Sequence, residues 1–375
     1  MIRLALIGLG KMGLSHLAIA KAHPDVDLVA VCDTSSYVLD VLGKYSATKT
    51  YSDYRKLLDE EALDAVMVAT PSRAHGVIVR AALERGLHVF CEKPLCLDVA
   101  EGEALAELAA RNGVVNQVGY HYRFVAAFRE AKRVIDSGAL GRIHHLRVEA
   151  YGPVVTRTKG ATWRARKNEG GGCLYDYACH AVDLAQHLAG PVRAVGGTVL
   201  NKIFSSDVDD EAYTTLYFEG GATGQLAANW SDASHRKMST KITVWGTEGR
   251  LAADRQEVQL YVREGASAAV KPGWSVSYTT DLTEEVDYYL RGEEYSAQVD
   301  HFVQAIKLGQ ADTRSPFASA LATDRVLAMM LDDAGRGASR GDAVAATVAP
   351  AEAWRPRRRL FDRALALLPQ PGASR

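Results

Sequence analysis

The sequence predicts an α/β fold: a doubly wound parallel sheet comes first, and an α+β part with a large, open, mainly antiparallel sheet follows. The first observation is an alternation of buried strand patterns with helix patterns through residue 119. The second is a glycine-rich turn between the first strand and the first helix. The third is a change, beyond residue 190, to strand-like runs joined by short turns.

Length and composition limit the classes of protein to consider. The 375 residues predict two domains, and 44 Lys+Arg against 45 Asp+Glu argue against nucleic acid or an anionic membrane as the main partner. Five cysteines without zinc-type spacing are typical of reduced thiols, and we predict no metal. A strand follows Met1 directly, which leaves no room for a signal peptide, and no apolar run could cross a bilayer. We therefore expect a cytoplasmic protein.

The first strand, Ile2–Ile7, leads into a glycine-rich turn and a helix over 14–22. Gly8 permits the tight turn, Gly10 lets a pyrophosphate approach the backbone, and Gly13 lets the helix pack on the strand. Free N–H groups at the start of the helix then bind the anion. This strand–turn–helix context predicts a dinucleotide-binding Rossmann domain.

An acidic residue at the end of the second strand, 28–33, indicates which dinucleotide binds. Asp33 lies 20 residues past Gly13, where a carboxylate accepts a hydrogen bond from a ribose 2′-hydroxyl. Because no Arg or Lys occurs at 34–37, where a 2′-phosphate would need one, NAD is favoured over NADP. The alternative is a structural glycine turn beside a surface aspartate.

Further strand and helix patterns complete the first domain. They are a strand over 65–70 that ends at Pro71, a helix over 74–85, a strand over 87–90, a helix over 98–112 with a capping box of Asp98 and Glu101, and a strand over 114–118. Alternation of this kind predicts a parallel sheet that binds nucleotide at its carboxyl edge. Thr70, Pro71 and Lys93 all fall at that edge.

Glu92-Lys93-Pro94 follows the strand over 87–90 almost directly. Pro94 cannot donate to a ladder and moves the preceding residue out of the helical region, so the chain turns there. The charged pair therefore lies at the carboxyl end of a strand, where ligands of open α/β sheets bind. The alternative is an ordinary surface ion pair beside a turn.

Three motifs of the first domain form a set: the glycine-rich start, Thr70-Pro71 with His75 four residues on, and Glu92-Lys93-Pro94. As a set they resemble the glucose-fructose oxidoreductase / inositol dehydrogenase / MocA family. The resemblance implies that Lys93 projects into the active site, beside the nicotinamide and the substrate hydroxyl. It also implies the cofactor contacts, which are Gly8, Leu9, Gly10, Lys11, Met12, Gly13, Asp33, Thr34, Ala69, Thr70, Pro71, His75, Glu92 and Lys93.

In the second half, a helix over 173–183 follows three glycines. At about 100° per residue, its acidic and imidazole residues, continued to 187, fall within roughly 60° of one another. They are Asp176, His180, Asp183 and His187. Such a stripe is typical of a solvated face, but the glycines remove side chains where another molecule could approach.

This segment resembles the same family's second signature, a glycine run followed by Asp, three residues and His. By that resemblance, Asp176 and His180 are catalytic partners of Lys93. Ala178 departs from the pattern, since many relatives carry glycine there, and it could narrow the pocket. The resemblance also implies substrate contacts, with core aromatics and surface arginines as the alternative for four of them. These contacts are Lys93, Tyr120, Arg123, Trp163, Arg164, Asp176 and His180.

Strand-like runs with short turns dominate the rest of the chain and imply an antiparallel sheet. The runs are 143–151, 195–204, 212–219, 223–230, 240–245, 258–262 and 275–280; helix patterns cover 125–137, 295–308 and 316–334, and a linker pattern covers 335–350. The tail, with Arg355 and Arg357 to Arg359, fits a docked amphipathic helix or a solvated basic run. We expect domains at 1–121 and 122–345 and a tail at 346–375. The resemblance implies a homodimer or homotetramer formed through the open sheet.

The predicted function is NAD-dependent oxidation of a secondary alcohol in a sugar or cyclitol. His180 acts as the base, Asp176 orients it or a substrate hydroxyl, and Lys93 stabilises the developing alkoxide. One alternative is the reverse reaction, on a keto-sugar or on a 3-keto intermediate of a sugar pathway. Another alternative is a regulator that binds the dinucleotide without catalysis.

Overall fold

The computed structural model describes residues 1–46, 48–155, 162–266, 270–286, 289–290 and 292–341, with the backbone alone at 337–341. Residues Met1–Gly337 form one compact unit. The basic tail, for which the sequence allows a docked helix or a solvated run, lies outside the described residues. Within the described ranges, no helix is long and apolar enough to cross a membrane.

Six parallel strands form the first sheet, in the order β3-β2-β1-β4-β5-β6. Its elements are β1 Ile2–Ile7, α1 Lys11–Ala22, β2 Val26–Cys32, α2 Ser36–Tyr45, β3 Lys49–Tyr51, α3 Tyr54–Glu60, β4 Ala65–Val68, α4 His75–Leu83, β5 His88–Cys91, α5 Val99–Asn112 and β6 Asn116–Val118. The strand order reverses between β1 and β4, which creates a crevice at the carboxyl edge. The predicted doubly wound sheet is confirmed.

The strands that were predicted are the buried ones. Parallel strands covered on both faces are apolar throughout, and β4 is buried at every position. Helix α5 begins with the predicted cap, because the Asp98 side chain accepts a hydrogen bond from the Glu101 N–H at 2.8 Å. The segments α2, β3 and α3 were not predicted. For β3 the reason is its length and composition, because it has only three residues, Lys-Thr-Tyr, and shows no apolar run.

Eight strands form the second sheet, in the order β14-β13-β12-β11-β7-β10-β9-β8. They are β7 Ile143–Tyr151, β8 Val192–Asn201, β9 Glu211–Phe218, β10 Thr223–Asn229, β11 Ser239–Gly246, β12 Gly249–Ala253, β13 Glu257–Val262 and β14 Gly273–Tyr278. Every pair of neighbours is antiparallel except β10 with β7, so the predicted mainly antiparallel sheet is confirmed. Strand β12 was not predicted.

Helices cover one face of the second sheet. On β7, Leu146, Val148 and Ala150 are buried against helices, whereas Arg147 between them is exposed on the other face. The helices of this region are α6 Ala126–Asp136, α7 Cys179–Ala189 and the short α8 Thr279–Leu282. Among the described residues, none of these helices covers the other face of the sheet, where Arg147 lies.

Helices α9 (Glu293–Leu308) and α10 (Phe317–Gly341) return to the first sheet. Helix α9 places Val299, Phe302 and Val303 in the same apolar cluster as β1 and β4. The segment before α10 lines the edge of β6, where the Val118 N–H donates to the Ser315 carbonyl at 2.8 Å. Helix α9 and the segment before α10 thereby become part of the structure around the nucleotide sheet.

Helix α10 is longer than the sequence suggests. The predicted helix ends at residue 334 and a linker begins at Gly335, but the helix continues through Gly341. The linker prediction is therefore wrong over 335–341. Isolated glycines in a helix cost only about 1 kcal/mol each, and the Ala and Arg residues between them are good helix formers.

Candidate active site

The glycine-rich turn joins β1 to α1 and leaves space for a phosphate. A Cβ on Gly13 would lie 1.9 Å from the Gly8 carbonyl oxygen, so only glycine permits this approach of helix to strand. Gly10, the residue before α1, has open space at its Cβ position, and no side chain caps the helix. The first amides of α1 are thus available to an anion. Leu9 lies in the same turn, and Lys11 and Met12 are the first two residues of α1.

Asp33 fixes this turn from the end of β2. Its carboxylate accepts a hydrogen bond from the Leu9 N–H at 2.5 Å and another from the Ser35 N–H at 2.8 Å. A carboxylate has further lone pairs, so these bonds leave acceptor capacity for a ribose hydroxyl. Thr34 beside it is exposed. The turn and Asp33 together fit the ribose and pyrophosphate of NAD.

The end of β4 supplies the opposite wall of the crevice. A Cβ on Gly8 would lie 2.6 Å from the backbone of Ala69, which shows how closely the two strand ends approach. The Thr70 hydroxyl is buried and has no hydrogen-bond partner among the described residues. Pro71 follows it at the surface. An unpaired polar atom at this edge is consistent with a missing ligand.

His75 ties two loops of the crevice together. Its Nδ1 lies 2.7 Å from the Pro94 carbonyl oxygen and its Nε2 lies 3.0 Å from that of Thr70. Burial lowers the pKa of His75, so the neutral ring donates one of these bonds, and the shorter contact to Pro94 is the better candidate. These contacts favour a positioning role for His75; direct binding of NAD stays a prediction.

Glu92 faces the nucleotide helix rather than the pocket. Its carboxylate lies 2.7 Å from Nε2 of His16 on α1 and also accepts a bond from the Lys93 N–H at 3.3 Å. Burial acts to raise the pKa of Glu92, but the His16 bond and the Lys93 charge outweigh it and hold that pKa below its usual value. Glu92 therefore couples the phosphate-binding helix to the loop that carries Lys93.

Lys93 and Asp176 meet between the two sheets. The Lys93 ammonium donates to the Asp176 carboxylate at 3.1 Å and to its backbone carbonyl at 2.9 Å. On the other side, Nε of Arg164 donates to the second carboxylate oxygen at 2.9 Å. The structure thus brings Lys93 together with one of its predicted partners, across 83 residues of sequence.

The two cations determine the charge state of this cluster. Burial acts to raise the pKa of Asp176, but Lys93 and Arg164 outweigh it and lower that pKa to about 2. Burial likewise acts to lower the pKa of Lys93, but Cys179 and Asp176 outweigh it and hold that pKa above its usual value. At neutral pH the cluster is a carboxylate between an ammonium and a guanidinium.

His180 lies one helical turn further on, in an aromatic enclosure. The rings of His121, Tyr122 and Tyr120 lie 4.8, 5.2 and 6.0 Å from its own ring. Burial is the main cause that lowers the pKa of His180 well below its usual value, and the charges of Lys93, His121 and Arg255 add to it. Its Nδ1 has no hydrogen-bond partner among the described residues. His180 is therefore a neutral imidazole.

The backbone around Asp176 differs from the regular helix that the sequence predicts. Residues Leu174–Ala178 form a π-helical turn, and α-helix begins only at Cys179. The stripe of acids and imidazoles is not solvated, because Asp176, His180 and Asp183 are all buried. Single π turns occur often at functional sites, and here the turn carries Asp176 toward Lys93.

The four other predicted substrate contacts divide into two pairs. Trp163 and Arg164 are half-buried beside Asp176, with the guanidinium 4.8 Å from the indole centroid. Tyr120 and Arg123 lie deeper: Tyr120 is fully buried, and Arg123 makes a bidentate pair with Asp183 at 2.5 and 3.0 Å. The alternative of a surface arginine is therefore wrong for Arg123. Substrate contact by these four residues stays a prediction.

Several residues around the site were not predicted from the sequence. His16 and His121 are single histidines in apolar segments and belong to no recognisable sequence motif. Asp209 accepts a hydrogen bond from the Leu174 N–H at 2.6 Å and so caps the π turn from the loop before β9. Only their position in space, not their spacing, connects these residues to Lys93 and His180.

Comparison with known proteins agrees with this geometry. Residues 2–120 match a family described as oxidoreductase family, NAD-binding Rossmann fold, and residues 128–252 match the GFO/IDH/MocA C-terminal domain. The scyllo-inositol 2-dehydrogenase (NAD(+)) of Bacillus subtilis (strain 168) is 29% identical over 82% of this chain and 87% of its own. The levoglucosan dehydrogenase of Pseudarthrobacter phenanthrenivorans is 28% identical, over 74% and 80%. A solved levoglucosan dehydrogenase with NADH and levoglucosan, 25% identical, superposes with a TM-score of 0.79 over 89% of this chain and 97% of its own.

Proposed function

Since this chain belongs to the GFO/IDH/MocA oxidoreductase family, we propose that it transfers a hydride between NAD and a secondary alcohol or ketone of a sugar or cyclitol. The observation that carries the proposal is the Lys93–Asp176 pair, 3.1 Å long, with His180 one turn away, at the carboxyl edge of the nucleotide sheet. The named relatives that act on inositol and levoglucosan support the substrate class.

Lys93, Asp176 and His180 are the proposed catalytic residues. When bound, NAD supplies the hydride acceptor. His180, neutral because its pKa is depressed, takes the proton from the substrate hydroxyl. A depressed pKa also makes it a weak base, so the developing alkoxide needs a cation beside it, and Lys93 supplies that charge. Asp176 keeps Lys93 protonated and fixes its direction.

Trp163 and Arg164 are the proposed outer contacts of the substrate. The Nε–H group of Arg164 donates to Asp176, and no acceptor among the described residues bonds to its remaining N–H groups. Those groups suit the hydroxyls of a polyol. Tyr120 and Arg123 instead support the walls of the pocket, since both are buried and Arg123 is bound to Asp183.

A panel of substrates tests this function. Inositols, aldoses, glycosides and anhydrosugars are offered with NAD, and the corresponding ketones with NADH, while absorbance of NADH is followed. We expect saturable turnover on at least one polyol. If NADH binds but no compound in the panel reacts in either direction, a dinucleotide-binding regulator becomes the better interpretation.

We also propose that the protein assembles into a dimer or tetramer through the open face of the second sheet. A row of facing residues crosses that sheet from its edge. It consists of Trp274, Tyr261, Arg250, Trp245, His145, Thr223 and Tyr217. Trp274 is 62% exposed, and aromatic residues and arginine are enriched at interfaces.

Sedimentation equilibrium at micromolar concentration tests the assembly. We expect a dimer or tetramer, and a monomer of 40.6 kDa contradicts the proposal. Trp274→Asp should weaken the association, whereas Tyr45→Ser, at an exposed tyrosine of α2, should not.

We propose residues 1–121 as the cofactor-binding domain, 122–345 as the substrate and assembly domain, and 346–375 as a tail. Although α9 and α10 belong to the proposed second domain, they return to the first sheet, so the second domain packs against the first. The five cysteines are buried and free, which supports a reducing compartment such as the cytoplasm.

A further inference from the structure

Two neighbouring polar residues of α10 are buried in an apolar surface. Thr323 is fully buried and Asp324 is 5% exposed, among Ala320, Val326 and Leu327. A buried carboxyl group is costly unless it is used in hydrogen bonding. Both residues point to elements of the candidate active site.

Asp324 contacts the loop that carries Lys93. Its carboxyl oxygen accepts a hydrogen bond from the Cys96 N–H at 3.2 Å, and the nearby Leu95 amide helps to lower the pKa of Asp324. Leu95 and Cys96 follow Lys93-Pro94 directly, and both are buried. This bond therefore holds the backbone three residues beyond Lys93.

Thr323 contacts the other half of the site. Its hydroxyl accepts a hydrogen bond from Gln186 of α7 at 3.3 Å, and it lies near Asp183, whose pKa it helps to lower. Asp183 lies three residues after His180 on the same helix. Adjacent side chains of α10 thus reach the Lys93 loop and the His180 helix.

We propose that Asp324 is a positioning residue for Lys93, which it holds against Asp176 by fixing the backbone at Cys96. The inference rests on the proposed function, because it assigns to Asp324 an effect that passes through Lys93. Misplacement of a catalytic group by about 1 Å can cost about 10²-fold in rate. Helix α10 would then be required for turnover without touching substrate.

The surroundings of Asp324 indicate which substitution can replace it. Burial raises the pKa of Asp324, the amides of Cys96 and Leu95 lower it, and Asp183 adds to the rise; the net result is a pKa of about 8. The other titratable groups near it are Tyr120, Tyr175, Cys91, Cys96 and Cys179. Near neutral pH the group is thus largely a neutral acid whose carbonyl oxygen accepts. Asparagine has the same shape and the same acceptor.

Three variants test the inference on the full-length protein. Asp324→Leu removes the hydrogen-bond acceptor, whereas Asp324→Asn keeps it. Ser315→Ala is the control: Ser315 lies on the segment before α10, and the substitution removes its buried hydrogen bond of 2.6 Å to the Val118 carbonyl. For each we would measure kcat, KM, the NADH dissociation constant by fluorescence, and the melting temperature.

We expect Asp324→Leu to lower kcat at least tenfold while NADH binding stays within twofold, and Asp324→Asn to keep kcat within threefold. Ser315→Ala should lower the melting temperature without lowering kcat. A normal kcat in Asp324→Leu overturns the inference, as does an equal loss in the Ser315 control. If the Leu variant does not fold, a tenfold loss in Asp324→Asn contradicts it.

The proposed function can fail separately. If Lys93→Ala retains normal turnover, the function assigned to Lys93 is wrong whatever Asp324 does. If Lys93→Ala is inactive and Asp324→Leu is normal, only the positioning role is wrong.

Discussion

Asp176→Asn should destabilise the fold through two cations that it leaves unpaired. The carboxylate lies 3.1 Å from Lys93, and the side chains of Asp176 and Lys93 are 9% and 12% exposed. At an effective dielectric constant of about 20, one such contact amounts to about 5 kcal/mol before desolvation is subtracted. Removal of one partner from a buried pair costs about 3–5 kcal/mol, so we expect the melting temperature to fall by roughly 5–10 °C.

The pH dependence of this loss follows from the two pKa shifts. The folded pKa of Asp176, about 2, is below its ordinary value, so its contribution is present above pH ~4 and is lost as pH falls through 2. The pKa of Lys93 is raised, so its contribution is present below about 10.4 and is lost as pH rises above that value. The difference between wild type and Asp176→Asn should therefore be greatest between pH ~5 and ~9.

Thermal unfolding at several pH values, followed by near-ultraviolet circular dichroism, measures this loss. Glu103→Gln is the matched control, because it breaks a pair with Arg325 of 2.8 Å whose side chains are 46% and 49% exposed. Exposed pairs contribute about 0–1 kcal/mol. If Asp176→Asn shifts the melting temperature at pH 7 no more than this control does, the cluster is not the buried ion pair described above.

Three further predictions concern pH and cofactor choice. The fall of kcat/KM at acid pH should be centred below pH 6.5, because the pKa of His180 is lowered. Arg255→Ala should move this fall to higher pH, because the Arg255 charge is one cause of the lowered pKa. A fall centred above pH 6.5 in the wild type contradicts the assignment of His180 as the base. Steady-state kinetics should give a higher kcat/KM with NAD than with NADP, and Asp33→Ala should narrow the gap; preference for NADP refutes the role of Asp33. The pKa of Asp324 in the folded protein is raised to about 8, so its contribution to stability is present below pH ~4 and is lost as pH rises through 8. Asp324→Asn should therefore have a higher melting temperature than wild type at pH 8.5 and a similar melting temperature near pH 4.

The features that the sequence predicts are those with a local physical cause. Gly8, Gly10 and Gly13 sit between a strand and a helix, and the turn they predict has the expected geometry. Lys93 follows a buried strand, so its position at the carboxyl edge could be inferred from the strand and Pro94. Its pairing with Asp176 was expected only from family resemblance.

The features that the sequence does not predict depend on contacts between distant residues. Asp324 meets Cys96 across 228 residues, and His16 meets Glu92 across 76. No periodicity signals the π turn at Leu174–Ala178, because a π turn differs from α-helix by one inserted residue. The burial of Arg123 likewise follows from Asp183, 60 residues away, rather than from its neighbours.

We propose that Lys93 contributes far more to hydride transfer than to the affinity for the cofactor. The most direct measurement is single-turnover NADH formation by rapid mixing on the best polyol of the panel, with Lys93→Ala beside wild type. We predict a fall of about 10²–10⁴-fold in this rate, with NADH affinity by fluorescence within a few-fold of wild type. A near-normal rate, or a loss explained by weaker NADH binding, would contradict the account.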